Sequence, residues 1–151
     1  MEVSFRRATA SDLPAIIAML ADDPLGQSRE LVSDPVDSAY LEAFARIDRD
    51  PNQLLAVAER DGTVIGTLQL SFLTHLARRG AIRAQIEAVR IARTARGEGL
   101  GEAMFLWAIN EARARGCHMV QLTTDKARPD AHRFYEKLGF EATHLGYKLG
   151  L

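Results

Sequence analysis

A short basic, glycine-rich stretch carries the residue types best suited to bind a phosphate. Arg93 and Arg96 precede three alternate glycines, Gly97, Gly99 and Gly101, and the stretch joins an apolar strand pattern to a helical one. Glycine lets the main chain adopt unusual dihedral angles and lets a ligand approach it closely. The free N–H groups and the positive dipole end of a helix start attract anions. The pattern therefore predicts a site for a ligand that carries phosphates.

The spacing of the glycines separates this stretch from two well-known phosphate loops. A dinucleotide fingerprint needs a third glycine where this chain has Glu102, and no Lys-Ser/Thr pair follows the glycines as in a P-loop. What remains is Arg-x-x-Gly-x-Gly, from Arg96 to Gly101. This motif resembles the pyrophosphate-binding motif of the GCN5-related N-acetyltransferase (GNAT) superfamily, whose ligand is acetyl-coenzyme A.

A second motif lies about 30 residues downstream, between Arg128 and Phe140. Ala131 is followed by the pair Phe134-Tyr135 and then by Gly139-Phe140, which is similar to the other acetyl-coenzyme A motif of the superfamily. The two motifs occur in the expected order, and the resemblance extends from residue 3 to about residue 148. It implies one acetyltransferase domain over residues 1–151 that uses acetyl-coenzyme A as co-substrate.

The resemblance also implies which residues bind the cofactor. The strand before the glycines would offer main-chain groups to the pantetheine arm, the glycine loop would bind the diphosphate, and the second motif would cover the cofactor. Arg93 and His132 are further candidates for phosphate contacts, and Arg96 is the best placed. The full set is Val89, Arg90, Ile91, Arg96, Gly97, Glu98, Gly99, Leu100, Gly101, Arg128, Ala131, Phe134 and Lys137.

Acetyl transfer to an amine needs a general base, because an ammonium group has no lone pair with which to attack. Glu87 is the candidate: by strict alternation it shares one side of its strand with Gln85, Val89 and Ile91. The alternative is a glutamate in a salt bridge or at an exposed edge. A main-chain N–H near Val89 or Ile91 is expected to stabilise the negative charge on the thioester oxygen.

Tyr135 is the candidate general acid that protonates the leaving thiolate. Its spacing with Ala131, Phe134 and Leu138 is equally typical of a helix face in a core, so the residue pattern alone leaves a structural role open. The family resemblance assigns the acid role, because the catalytic tyrosine of the superfamily occupies this place in the motif.

The acceptor amine is less well indicated. The second half of the chain resembles the branch that includes aminoalkylphosphonate N-acetyltransferases, which favours a small amine with an acidic group. Arg78, Arg79 and Arg83 are candidates to bind that group; the alternative is a solvated basic loop. The four histidines show no ligand spacing, so no metal is expected.

Hydrophobic periodicity predicts the elements in the order β-α-α-β-β-β-α-β-α-β. The sequence Asp61-Gly62 indicates a two-residue hairpin, and Phe140 to Leu149 is predicted to be the last extended stretch. The helix from about Gly99 to Arg115 is apolar nearly all round and is expected to be packed on much of its surface. The fold class is α+β (α/β mixed): a mixed, mainly antiparallel sheet with a β-α-β crossover and helices on both faces.

Composition narrows the function classes further. The formal net charge of −1 offers no global attraction for nucleic acid or anionic membrane, and no apolar run reaches the length of a membrane helix. Cys117 is the single cysteine, which excludes an intrachain disulfide. The start of the chain lacks the layout of a signal peptide, so a cytoplasmic location is expected. The apolar helix and the sheet edge make a homodimer plausible.

Two other functions remain open at this point. A protein acetyltransferase acting on lysine or N-terminal amines would need a long groove, and no peptide-docking insert is evident. A non-catalytic acetyl-coenzyme A sensor would keep the glycine loop and lose the acid and the base. The presence of both Glu87 and Tyr135 disfavours the sensor.

Overall fold

The computed structural model describes residues 2–126 and 129–151, which form two compact units. The first unit runs through Gln121 and the second runs from Leu122 to Leu151. The strands are β1 Ser4–Arg7, β2 Gln53–Arg60, β3 Thr63–Thr74, β4 Ile82–Ile91 and β5 Met119–Gln121. The helices are α1 Leu13–Ala21, α2 Ser38–Arg49, the single turn α3 Ala77–Gly80, α4 Leu100–Ala114 and α5 Pro129–Lys137.

The first unit is built on one five-stranded sheet in the order β1-β2-β3-β4-β5. All neighbouring strands are antiparallel except β4 and β5, which are parallel and are connected through α4. The hairpin between β2 and β3 turns at Asp61 and Gly62, whose φ angles of 51° and 76° are those of a two-residue turn that matches strand twist. The predicted mixed sheet, crossover and hairpin are confirmed.

Helices cover both faces of the sheet, as predicted. On one face α1 packs through Ile16 and Leu20 against Val57 and Leu55 of β2. On the other face α4 contributes Trp107, whose ring stacks on Phe5 of β1 with 5.5 Å between ring centres. Burial of these apolar side chains on both sides of the sheet is the main favourable term in its stability.

Three expectations about single elements are wrong. Residues 141–151 form no strand, although Leu145, Tyr147 and Leu149 alternate as a strand would. These three side chains are 71%, 89% and 86% exposed. An alternating segment becomes a strand only when another strand edge accepts its hydrogen bonds. The residue pattern from Met119 to Thr124 predicts a strand of six residues, whereas β5 ends at Gln121.

The third correction concerns α4, which is packed on one face only. Met104, Phe105, Ala108 and Ala112 are buried, whereas Leu106 is half exposed. The apolar side chains of α4 therefore extend beyond the surface that neighbouring elements cover.

None of the helices in the described part of the chain combines the length and the apolar character that crossing a bilayer requires.

Candidate active site

The glycine loop forms an open start to α4. A 3₁₀ turn over Arg93–Ala95 is followed by extended Arg96, and Gly97 and Gly99 have φ angles of 80° and 78°. Only glycine adopts such angles without strain. A Cβ atom added at either glycine would meet nothing within 4 Å, so space for a ligand lies next to the main chain.

Among the described residues no side chain caps the start of α4. The first amides of a helix have no acceptor within the helix, so in this loop they are available to an anion. The loop thus fits the diphosphate of acetyl-coenzyme A in its chemistry: glycines at left-handed angles, uncapped amides and neighbouring arginines.

Two aspartates at the end of α1 pair with arginines of the loop and of β4. Asp22 accepts a hydrogen bond from Nε of Arg93 at 2.9 Å, and its other oxygen lies 2.6 Å from Nη2 of Arg93. Asp22 also lies 3.5 Å from Nη2 of Arg96. The hydrogen bond from Arg93 lowers the pKa of the Asp22 carboxyl, and the same bond raises the pKa of Arg93. Asp23 lies 3.0 Å from Nε of Arg90. No motif in the sequence indicates these counter-ions.

The side chains of three predicted cofactor-binding residues in the loop make contacts within the protein. Glu98 is paired with Arg60 of the β2–β3 hairpin at 2.6 Å, and Leu100 is a core residue with 6% exposure. Arg96 donates through Nε to the carbonyl oxygen of Ile91 at 3.2 Å. At Glu98, Leu100 and Gly101 the loop therefore offers a ligand its main chain rather than its side chains.

A β-bulge interrupts β4 just before the loop. Thr67 lies opposite Arg90 and Gln69 lies opposite Glu87, so β4 contains one residue more than β3 between these pairs. Ala88 has a φ of 53° there, an unusual value for a residue with a side chain. A bulge bends a strand and frees main-chain groups from the ladder.

The opposite edge of β4 is also free over its second half. Parallel pairing with β5 stops at the pair Gln85–Gln121, while β4 continues to Ile91. Among the described residues no strand pairs with this edge from Ile86 onward. The main chain of Val89, Arg90 and Ile91 is thus placed next to the glycine loop with an edge that can accept an extended ligand.

The bulge corrects the side assigned to Ile91. Residues opposite each other in neighbouring strands project to the same face, which places Glu87 with Gln69 and Ile91 with Gly66. Since Gly66 and Gln69 are three residues apart, Glu87 and Ile91 project to opposite faces. The expectation of one shared side holds for Gln85 and Glu87 and is wrong for Ile91, because the extra residue reverses the alternation.

Glu87 itself is exposed on the face that α1 partly covers. Gln85 donates a hydrogen bond through its side-chain amide to Oε1 of Glu87. Among the described residues no group forms a salt bridge with Glu87, so the salt-bridge alternative is not observed there.

A row of uncharged polar side chains crosses the sheet beside Glu87. The register aligns Gln53 of β2 with Ser71 of β3, Ser71 with Gln85 of β4, and Gln85 with Gln121 of β5. We call these four residues the amide row. Ser71 donates to Oε1 of Gln53 at 3.1 Å, and Gln121 donates to Oε1 of Gln85 at 2.9 Å. The sequence signal for this row is one polar residue at the same parity in each of these strand patterns.

The three candidate acceptor-binding arginines have different environments. Arg78 and Arg79 are exposed in α3 with φ angles of 55° and 60°, as a solvated turn would be. Arg83 is half-buried on β4 and donates through Nη1 to Gln121 at 3.4 Å. Its Nε is buried and has no hydrogen-bond partner among the described residues. Arg83 is therefore the one of the three with donor capacity to spare inside the fold.

The second unit carries the other motif on α5. The ring of Tyr135 contacts the rings of Phe134 and Phe140, with ring centres 5.6 and 6.2 Å apart. Ala131 is half-buried and Lys137 is exposed. Arg128 lies outside the described residues.

No metal site accompanies these groups within the described residues. No three His, Cys, Asp or Glu side chains of residues 2–126 and 129–151 come together in a way that could hold an ion.

Comparison with known proteins identifies the family of this arrangement. The model of the Acetyltransferase (GNAT) family matches residues 16–140. Aminoalkylphosphonate N-acetyltransferase of Salmonella typhimurium is 31% identical over 147 residues, which cover 97% of this chain and 90% of that protein.

Solved structures show the same fold. A Bacillus halodurans protein described as a transcriptional regulator is 47% identical, with a TM-score of 0.96 over 99% of this chain and all of that one. A Clostridium acetobutylicum structure determined with acetyl-coenzyme A has a TM-score of 0.75 at 20% identity, covering 99% of this chain and 96% of that one. The second similarity concerns the fold alone.

Proposed function

Because the chain belongs to the GNAT family of acetyltransferases, we propose that it moves the acetyl group of acetyl-coenzyme A to a primary amine of a small molecule. The observation that carries the proposal is the open, uncapped start of α4 beside a bulged strand with a free edge. These two features supply a diphosphate site and an adjoining main-chain edge for an extended arm.

The main chain from Arg96 to Gly101 holds the diphosphate in this proposal, with Arg93 and Arg96 as counter-charges. The free edge of β4 at Val89, Arg90 and Ile91 positions the pantetheine arm by main-chain hydrogen bonds. Bound acetyl-coenzyme A supplies an activated acyl group. The bulge supports an N–H at Val89 as the donor to the developing oxyanion, since Val89 has no partner on β3 among the described residues.

Glu87 acts as the general base. Its carboxylate takes one proton from the ammonium group of the acceptor, directly or through water, and the neutral amine forms the new C–N bond as the C–S bond breaks. Tyr135 gives its hydroxyl proton to the departing thiolate, and its phenolate takes the second proton of the amine nitrogen. The sum is one amide, one thiol and one proton, the last of which passes from Glu87 to solvent.

The acceptor we favour is a small amine that also carries an acidic group. The 31% identity to an aminoalkylphosphonate N-acetyltransferase supports this class, and so does the unused donor of Arg83 on the Glu87 face of the sheet. Glu87 attracts the ammonium end and Arg83 the acidic end of such a molecule.

Thiol release from acetyl-coenzyme A tests the proposal. The amine panel comprises aminoalkylphosphonates, amino acids, polyamines, aminoglycosides and a lysine peptide. We expect turnover with at least one small amine and at least a 100-fold loss of kcat in Glu87→Gln, within the about 10²- to 10⁴-fold range typical of a lost general base. Tyr135→Phe is expected to lower kcat while leaving the affinity for coenzyme A unchanged. Wild-type turnover in either variant removes the role of that residue.

One observation favours a second candidate function. The 47% identical Bacillus halodurans protein is described as a transcriptional regulator, so an acetyl-coenzyme A sensor without catalysis also fits the glycine loop. The sensor binds coenzyme A in calorimetry and releases no thiol with any amine of the panel. Transfer to the lysine peptide alone would instead indicate a protein acetyltransferase. A single acetyltransferase domain, a homodimer and a cytoplasmic location stay predictions.

A further inference from the structure

We propose that Gln85 and Gln121 are positioning residues that hold the carboxylate of Glu87 in one orientation through a directed chain of hydrogen bonds. The inference rests on the proposed function in one respect, the role of Glu87 as general base. It concerns the part of the amide row that lies between Arg83 and Glu87.

Glutamine is concentrated on this face of the sheet. The chain has five glutamines, and four of them, Gln53, Gln69, Gln85 and Gln121, lie on one face of four adjacent strands. All four are half-buried, and polar groups at such places are ordinarily hydrogen-bonded. Here each of the four amides takes part in a hydrogen bond with another side chain of this face.

The charged groups at the two ends of this series of hydrogen bonds, Arg83 and Glu87, determine the direction of every bond in it. A guanidinium can only donate and an ionised carboxylate can only accept. Arg83 therefore selects the oxygen of Gln121, at 3.4 Å from Nη1. This leaves Nε2 of Gln121 to donate to Oε1 of Gln85, at 2.9 Å. Nε2 of Gln85 is then the atom that faces Oε1 of Glu87.

This arrangement restrains one oxygen of the base and leaves the other accessible. Oε1 of Glu87 accepts from Gln85, and no described residue donates to Oε2. A glutamate on an exposed part of a strand otherwise samples several rotamers, and ordering it beforehand removes that cost from the reaction. The chain of amides thus aims Oε2 at the acceptor without introducing a positive charge that would compete with the ammonium group.

A neighbouring glutamine provides an internal comparison. Gln69 lies directly opposite Glu87 in the register, yet its amide donates to Gln53 at 2.9 Å. Gln69 is thus as close to Glu87 in the sheet as Gln85 is, but it stands outside the chain of bonds. Gln69→Leu is the matched control for loss of an amide on this face.

Side-chain amide signals in ¹⁵N–¹H spectra test the chain of bonds without any acceptor. We expect the NH₂ signals of Gln85 and Gln121 to shift between the wild-type protein and Glu87→Gln. The NH₂ signals of Gln69 are expected not to shift with them. Signals of Gln85 that are the same in both proteins would overturn the proposal, whatever the enzyme does.

Kinetics test the consequence for the base. Gln85→Leu and Gln121→Leu are expected to lower kcat roughly tenfold, as loss of one hydrogen bond to a charged group does, with the KM for acetyl-coenzyme A unchanged. Gln69→Leu is expected to keep the wild-type kcat. An equal kcat in all three variants would contradict the positioning role.

Gln121→Glu separates orientation from packing. The new carboxylate preserves the shape of the side chain but can only accept, so it turns the amide of Gln85 and presents the oxygen of Gln85 to Glu87. We expect Gln121→Glu to lose more activity than Gln121→Leu. A purely structural role predicts the opposite order, because the glutamate is nearly isosteric. Shifting NH₂ signals in a protein that acetylates no amine would uphold the hydrogen-bond chain and reject the proposed function.

Discussion

Asp22 lies beside the proposed diphosphate site, and we expect its negative charge to weaken coenzyme A binding. Its carboxylate holds Arg93 through one hydrogen bond and a further ion-pair contact, and it lies near Arg96. A diphosphate bound at the start of α4 needs the same guanidinium groups. Asp22→Asn removes the competing charge and keeps a side chain of the same size, so we expect the variant to bind coenzyme A more tightly than the wild-type protein.

The magnitude follows from the exposure of the groups. The side chains of Arg93 and Arg96 are 71% and 51% exposed, so solvent and salt screen both pairs strongly. Exposed ion pairs contribute little each, which limits the gain on removing both to about threefold in Kd. The gain is expected to disappear at about 1 M salt, where the Debye length falls to about 3 Å.

Calorimetric titration with coenzyme A at low and high salt measures this effect. Asp48→Asn is the matched control, since Asp48 is exposed on α2 and carries the same charge. Arg96→Gln should bind about tenfold more weakly, as expected for a lost hydrogen bond to a charged group, and the Asp22→Asn, Arg96→Gln double variant should show coupling between the two positions. Weaker binding in Asp22→Asn would refute the reasoning and would mean that Asp22 aligns Arg93 for the phosphate.

Three further predictions concern the scaffold. Hydrogen bonds from Arg6 lower the pKa of Asp12 to about 2. The contribution of Asp12 to folding stability is therefore fully present above the usual carboxyl pKa and is lost as the pH falls through about 2. Urea unfolding of Asp12→Asn should show about 2 kcal/mol less stability at pH 7 and a weaker dependence of stability on pH in acid. Gly26→Ala places a Cβ 2.0 Å from a main-chain oxygen of α1, so Tm should fall by several degrees, whereas Gly150→Ala, in open space, should not change it. Burial raises the pKa of the Cys117 thiol, so its reaction with a disulfide reagent at pH 8 should be slower than that of a free cysteine.

Local features of the fold could be predicted because a few neighbouring residues determine them. The hairpin at Asp61 and Gly62 needs two residues with positive φ, and the glycine loop needs Gly97 and Gly99 for the same reason. The C-terminal stretch shows the limit of this reasoning. Its alternating pattern is typical of a strand. A strand also needs the edge of another strand to pair with, and the alternation does not indicate which edge that is.

The bulge in β4 shows why the site was harder to predict than the fold. Strict alternation placed Glu87 and Ile91 on one side, and a single extra residue, with Ala88 at a positive φ, reverses that conclusion. Nothing in the residue types around Ala88 indicates a bulge, because bulges depend on how two strands meet.

The polar groups around the base follow from register, which joins residues far apart in the sequence. Arg93 and Asp22 are separated by 71 positions, and Gln121 and Gln85 by 36. A sequence motif predicts a binding site that consecutive residues form, such as the glycine loop. It does not predict side chains that contact a catalytic residue from neighbouring strands. Substitutions at Gln121 therefore test a part of the site that substitutions in the loop do not reach, because Gln121 is connected to Glu87 through Gln85.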